Sequence, residues 1–196
     1  MLLSDLLSKQ LTQICIDNQI IKAHQADIYH YCFSYVLDVL LYNITILLLG
    51  FLLHRPLQAL LFTAITFPGK TIVGGAHASS PERCRILSYG IFLLSLYFIS
   101  TYSFSKLFAI ILYSIACVIL LRLTPVDHPN KRLNPEQKHW SKFLCHIFIT
   151  LITLVFYTTI CFNKTIYYNL IVLCITILMC NQIIGILQNR RHSYED

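Results

Sequence analysis

A histidine and a cysteine stand seven positions apart in the stretch Gly69-Lys70-Thr71-Ile72-Val73-Gly74-Gly75-Ala76-His77-Ala78-Ser79-Ser80-Pro81-Glu82-Arg83-Cys84-Arg85. A cysteine attacks a carbonyl as its thiolate, a small fraction of the thiol at neutral pH unless a neighbour draws off the proton. An imidazole can take that proton and later return it to the leaving amine. His77 and Cys84 are therefore a candidate base and nucleophile. Ser80-Pro81-Glu82 reads as a helix start, with Ser80 as N-cap and Pro81 at the first helical position. Cys84 then falls near the first turn, where the helix dipole and the flanking Arg83 and Arg85 favour a thiolate. Gly74 and Gly75 let the backbone bend so that His77 folds back onto Cys84. Backbone amides around the turn are candidate oxyanion donors. Glu82 is the nearest carboxylate and complements the dipole of the same turn. Spacing alone leaves a second reading open, a structural cysteine beside basic residues.

The rest of the chain must hold this stretch in place, and its composition says where. Of 196 residues, 56% are hydrophobic and only 12% charged, with a mean hydropathy of +0.63. Soluble domains carry about 25% charged residues. Half that share cannot cover a water-facing surface, so most of the exterior faces lipid. Length predicts one domain over 1–196. Of the eight cysteines, Cys117, Cys145, Cys161, Cys174 and Cys180 lie in apolar runs, where cysteine acts as a small hydrophobe rather than a disulfide partner. The formal charge of +6 marks cytoplasmic loops in a membrane chain rather than a nucleic-acid partner. His128 and His139 have no H-E-x-x-H or C-x-x-C spacing, so neither a metal nor another cofactor is expected. His146 reads as a hydrogen-bonded interior group. Met1 to Leu11 contain Asp5 and no basic n-region, so insertion is expected to rely on internal segments.

The predicted fold is all-α and polytopic, with six transmembrane helices behind an N-terminal amphipathic segment, 1–30. That segment either lies in the membrane interface or packs on the protein. The spans are Phe33 to Leu53, Pro56 to about Val73, Ile86 to Ser100, Leu107 to Leu123, Phe143 to Phe162 and Ile166 to Leu187. The second is the poorest: Pro68-Gly69-Lys70 interrupts it, and it either breaks there or continues through Val73. Asp38 sits within the first span. An intramembrane carboxylate suggests function, here either orienting His77 or pairing with a positive group. Segments 68–85 and 124–142 and the tail are rich in Lys and Arg, and the alternate loops are poor. Both termini and the 68–85 segment are therefore expected to be cytoplasmic.

The run Gly74-Gly75-Ala76-His77-Ala78 followed by Cys84 resembles the signature of the accessory gene regulator B family. Thr124-Pro125-Val126-Asp127-His128-Pro129-Asn130-Lys131-Arg132-Leu133 looks like that family's proline-containing basic loop. Family members usually carry an arginine-rich stretch before the glycines. Here Lys70 is the only base in that stretch and a candidate stand-in. The resemblance implies a membrane cysteine endopeptidase of quorum sensing, with His77 and Cys84 as its catalytic pair. Its partner would be a pheromone precursor peptide with an acidic C-terminal tail. Cys84 would cleave the precursor through a thioester, from which a thiolactone or lactone closes. Lys70, Lys131, Arg132 and Lys138 could steer the acidic tail. The partners expected are this precursor and the lipid bilayer, and a homodimer is left open. The competing readings are a non-enzymatic exporter of a small peptide, with a broken 56–73 segment lining its path, and a membrane interaction or receptor subunit.

Overall fold

The computed structural model describes residues 3–76, 81–126 and 133–195. Within them lie seven helices: α1 (Leu3–Asp17), α2 (Ala26–Leu52), α3 (Pro56–Val73), α4 (Pro81–Thr101), α5 (Lys106–Leu123), α6 (Pro135–Cys161) and α7 (Thr165–Glu195). No strand occurs among the described residues. The protein is the all-α, polytopic membrane protein its composition predicts. Local chemistry sets several helix starts. Pro56 and Pro135 open α3 and α6, where a missing N–H costs nothing. The Ser105 hydroxyl caps α5 by accepting from the Phe108 N–H.

Five helices are long and apolar enough to cross a bilayer: α2, α4, α5, α6 and α7. The expected second span, α3, is not among them. Pro68, Gly69 and Lys70 lower its apolar content. It nevertheless runs through Pro68 without a break and joins the two ends of the bundle. At one end a Cβ on Gly50 of α2 would meet Ala59 of α3. At the other, the Val73 carbonyl accepts the N–H of Val126, just past α5. Eighteen residues span about 27 Å at the α-helical rise. Proline inside a membrane helix is tolerated where neighbouring helices shield the freed carbonyl.

The centre of the bundle is α7, which packs against α3, α4, α5 and α6. Leu170, Ile171, Val172, Cys174, Ile175 and Leu178 are buried along it. Its first turns are tied to the α4–α5 connection. The Tyr168 hydroxyl donates to the Phe104 carbonyl at 3.1 Å, and Lys106 bonds the Asn163 side chain. Cys117, Cys145 and Cys174 fill the interior, whereas Cys161 and Cys180 are exposed. His146 is hydrogen-bonded to the Lys142 carbonyl at 2.7 Å, but it is exposed rather than interior. Its ring faces outward because the neighbouring Cys145 and Phe148 take the buried face of α6.

Of the two arrangements expected for the N-terminal segment, packing on the protein is the one the structure shows. Ser4, Ser8 and Thr12 form a buried stripe, one turn apart, on the helix that packs against α2. Small residues allow that close approach. Thr12 donates to the Ser8 carbonyl and Ser8 to the Asp5 carbonyl, so these hydroxyls are satisfied within the helix. Leu6 and Ile14 point outward, as an interfacial helix requires.

The glycines differ in what surrounds them. A Cβ at Gly90 of α4 would meet nothing within 4 Å. Gly90→Ala is therefore expected to raise stability by about 0.5–1 kcal/mol, the helix-propensity gain, read as a higher thermal midpoint in detergent.

Candidate active site

Cys84 lies in the first turn of α4, which begins at Pro81 as the sequence predicts. The cysteine is exposed. Ser88 stands one turn further on the same face of α4, and it is buried. Its hydroxyl accepts a hydrogen bond from Lys70 Nζ of α3 at 3.2 Å. Lys70 is thereby tied to α4 one turn beyond Cys84. Helix α3 thus reaches the first turns of α4, with the Lys70 ammonium bound one turn from Cys84.

A second set of contacts joins α2 to α4. Arg85 Nη1 contacts Asp38 Oδ1 at 2.6 Å, both side chains largely shielded. One turn along each helix, the Tyr42 and Tyr89 rings lie 5.3 Å apart. The pairs 38–85 and 42–89 advance together, so α2 and α4 run parallel. Helix α2 starts at Ala26, seven residues before the expected span, and Asp38 is level with the first turns of α4. The positive group it pairs with is Arg85.

The glycine segment before His77 is held by two neighbours. Gly74 has φ of 73° and Gly75 φ of 146°, conformations that side chains rarely adopt. A Cβ at Gly74 would lie 2.7 Å from the Val126 carbonyl oxygen. One at Gly75 would lie 2.1 Å from Asn181 Nδ2 of α7. The Ala76 N–H donates to the Asn181 carbonyl at 3.0 Å. The segment is thus threaded between the end of α5 and the backbone of α7. Its backbone N–H groups at 74 and 76 are already engaged, with the Lys70 and Asn181 carbonyls, so neither is a free oxyanion donor in this arrangement. Gly74 and Gly75 serve close approach and a turn.

His77, Lys131 and Arg132 lie outside the described residues. Glu82 belongs to the first turn of α4. Lys138 stands in the first turn of α6, and Ser141 of the same helix donates to the Ile72 carbonyl at 2.9 Å, placing α6 beside the end of α3. Among the described residues no three His, Cys, Asp or Glu side chains are grouped to hold a metal ion.

Residues 8–186 match the family accessory gene regulator B. The chain belongs to that family. No curated protein and no solved structure matches it. Membership in the accessory gene regulator B family supports a part in processing the accessory gene regulator quorum-sensing peptide, with a peptide precursor as substrate. The matched range runs from α1 into α7 and includes every residue of the Cys84 surroundings described above.

Several of those residues escape a reading of the sequence alone. Asn181, Gln182 and Gly185 lie in what reads as an ordinary apolar span. A Cβ at Gly185 would come within 2.5 Å of the Gly75 carbonyl carbon. Gln182 is fully buried, and its Nε2 donates to Thr124 Oγ1 at 3.1 Å. Cys145 Sγ also reaches Thr124 Oγ1, at 3.6 Å. The signal was present: two adjacent amides inside an apolar run, followed within a turn by glycine, mark a buried polar contact and a close approach.

Proposed function

We propose that this protein is a membrane cysteine endopeptidase acting on the pheromone precursor, with Cys84 as nucleophile and His77 as base. The observation that carries the reading is the setting of Cys84: an exposed thiol in the first turn of a helix, with Lys70 held one turn away by Ser88. A cation and a helix N-terminus both favour negative charge there. His77 takes the thiol proton, and the thiolate attacks a peptide carbonyl in the C-terminal part of the precursor. The tetrahedral intermediate collapses, the C–N bond breaks, and His77 returns the proton to the leaving amine. The acidic tail departs and the remaining acyl group stays on Cys84 as a thioester. A Cys or Ser of the bound peptide then displaces Cys84 and closes a thiolactone or lactone, its own proton passing to Cys84. Thiol exchange nearly conserves bond energy, so ring closure needs only positioning and the exclusion of water.

The end of the bundle that bears Cys84 also carries Lys70, Arg122, Lys138, Lys142, Arg190 and Arg191. The opposite end carries Arg55, Lys106 and Lys164. The positive-inside rule assigns the first end, with both termini, to the cytoplasm. Lys138, with Lys131 and Arg132, steers the acidic tail toward Cys84. The chain works as one domain, and a homodimer is compatible with this scheme. The exporter reading drew on a break in 56–73, and α3 is continuous there.

The test is co-expression with the cognate precursor, followed by mass spectrometry of the precursor and the released tail. His77→Ala is expected to leave the precursor at full length. Undiminished cleavage by that variant overturns the assignment of His77 as base.

A further inference from the structure

Resting on that reading of Cys84, we propose that Asp38 and Arg85 are a positioning pair, which fixes the rotation of α4 so that Cys84 faces the reacting carbonyl. Arg85 is the residue directly after Cys84, so anything that anchors its side chain also sets the direction of the cysteine. A helix advances about 100° per residue, and a small rotation about its axis swings Cys84 and Ser88 together away from Lys70 of α3. Helix α4 needs such an anchor. Cys84, Ile86 and Leu87 of its first turns are exposed, and little apolar packing holds that end. Two rungs to α2 hold it, beside the Lys70–Ser88 hydrogen bond to α3. The first is the Arg85–Asp38 contact at 2.6 Å. The second, one turn on, is the Tyr42 ring against the Tyr89 ring. The ion pair supplies what the rings cannot, a directional contact at the same level as the nucleophile. Both of its side chains are about four-fifths shielded, 21% and 23% exposed, so neither charge is readily re-solvated if its partner is lost.

A positioning role predicts a particular kinetic pattern. The pair touches neither the peptide nor the reacting atoms, so substrate affinity should be nearly unchanged while turnover falls. Misplacement of a reacting group by about 1 Å costs on the order of 100-fold. Precursor cleavage is to be measured with purified full-length protein in nanodiscs, for Asp38→Asn, Arg85→Gln, Arg85→Lys and the charge swap Asp38→Arg with Arg85→Asp. Asp38→Asn and Arg85→Gln are each expected to lower kcat at least ~10-fold with KM within about twofold. The swap should recover part of that loss, because the contact is restored with its polarity reversed. In parallel, alkylation of Cys84 by a small maleimide, mapped by mass spectrometry, should change in rate in the single variants and return toward the original in the swap.

Wild-type kcat in both neutral variants overturns the proposal. So does a rise in KM at unchanged kcat, which would make Arg85 a contact for the precursor instead. If the swap does not accumulate in the membrane, Arg85→Lys decides, since it keeps the charge. Turnover above that of Arg85→Gln supports positioning by the pair, and equal turnover overturns it. Cleavage by Cys84→Ala would instead remove the reading of Cys84 on which the proposal rests, whatever these variants do.

Discussion

Cys84→Ala is expected to abolish release of the precursor's tail, lowering the rate by about 1,000-fold or more, while leaving the amount and thermal stability of the protein unchanged. The two halves of that expectation have separate causes. Removal of the nucleophile of a covalent mechanism leaves only binding and electrostatic stabilisation, which cannot form the thioester. The stability half follows from exposure. Cys84 belongs to none of the buried apolar surface, so losing its sulfur opens no cavity. Cys84→Ser should be nearly as impaired, because a hydroxyl there gives up its proton far less readily than a thiol. The other exposed cysteines, Cys15 excepted as part-buried, are Cys32, Cys161 and Cys180. Replacing each with alanine controls for thiol loss in general and should leave cleavage intact. The measurement is single-turnover conversion of the full-length precursor with each variant at matched membrane abundance. Wild-type conversion by Cys84→Ala would sink the cysteine mechanism outright.

How far the sequence carries the fold depends on which contacts are local. Long apolar runs declare their helices, and five of the six expected spans coincide with helices of sufficient length and hydropathy. The start of α2 is the clearest miss. Ala26 to Cys32 mixes Asp27, three ring-bearing side chains and a cysteine, so its hydropathy does not announce a span. The residues are helical all the same, because they continue a long helix against which α1 packs. Helix α3 is legible as the second and poorest span, but composition leaves open whether it breaks at Pro68-Gly69-Lys70 or continues through Val73. What makes Pro68 and Lys70 tolerable is tertiary: Gly69 seats against Leu178 of α7, and Lys70 finds Ser88 of α4.

The site divides in the same way. Pro81 predicted where α4 begins, the Ser80 cap lying outside the described residues, and Gly74-Gly75 predicted a turn, because helix starts and positive-φ positions are properties of a few adjacent residues. The partners of Asp38 and of the two glycines were not legible. Asp38 and Arg85 are separated by 47 positions, and no period or motif links them. Such a pairing follows only from the register of two parallel helices, which in turn rests on how α3 packs against both of them and α7 against α3 and α4.

The contact between α7 and the glycine segment leads to the second large effect. Gly75→Ala and Gly185→Ala are each expected to lower stability by about 1–3 kcal/mol through overpacking, and both should reduce precursor cleavage. Gly75→Ala should be the worse of the two. Its φ of 146° adds backbone strain of about 1–3 kcal/mol on top of the collision with Asn181. At Gly185 the colliding atoms are the backbone of Gly75 and Ala76, with no flexible side-chain end to give way. Relief therefore requires the segment to leave α7, which breaks the Ala76–Asn181 hydrogen bond and displaces the residue that follows it, His77. Because both substitutions push the same two backbones apart, the second costs less once the first is present. The double variant should be more stable than the sum of the single losses implies, by about 0.5 kcal/mol or more. Thermal unfolding of the four proteins in one detergent, with Gly90→Ala as the uncrowded comparison, measures this directly. Strict additivity would mean that Gly75 and Gly185 do not share the contact, and that α7 does not set the path of the chain into His77.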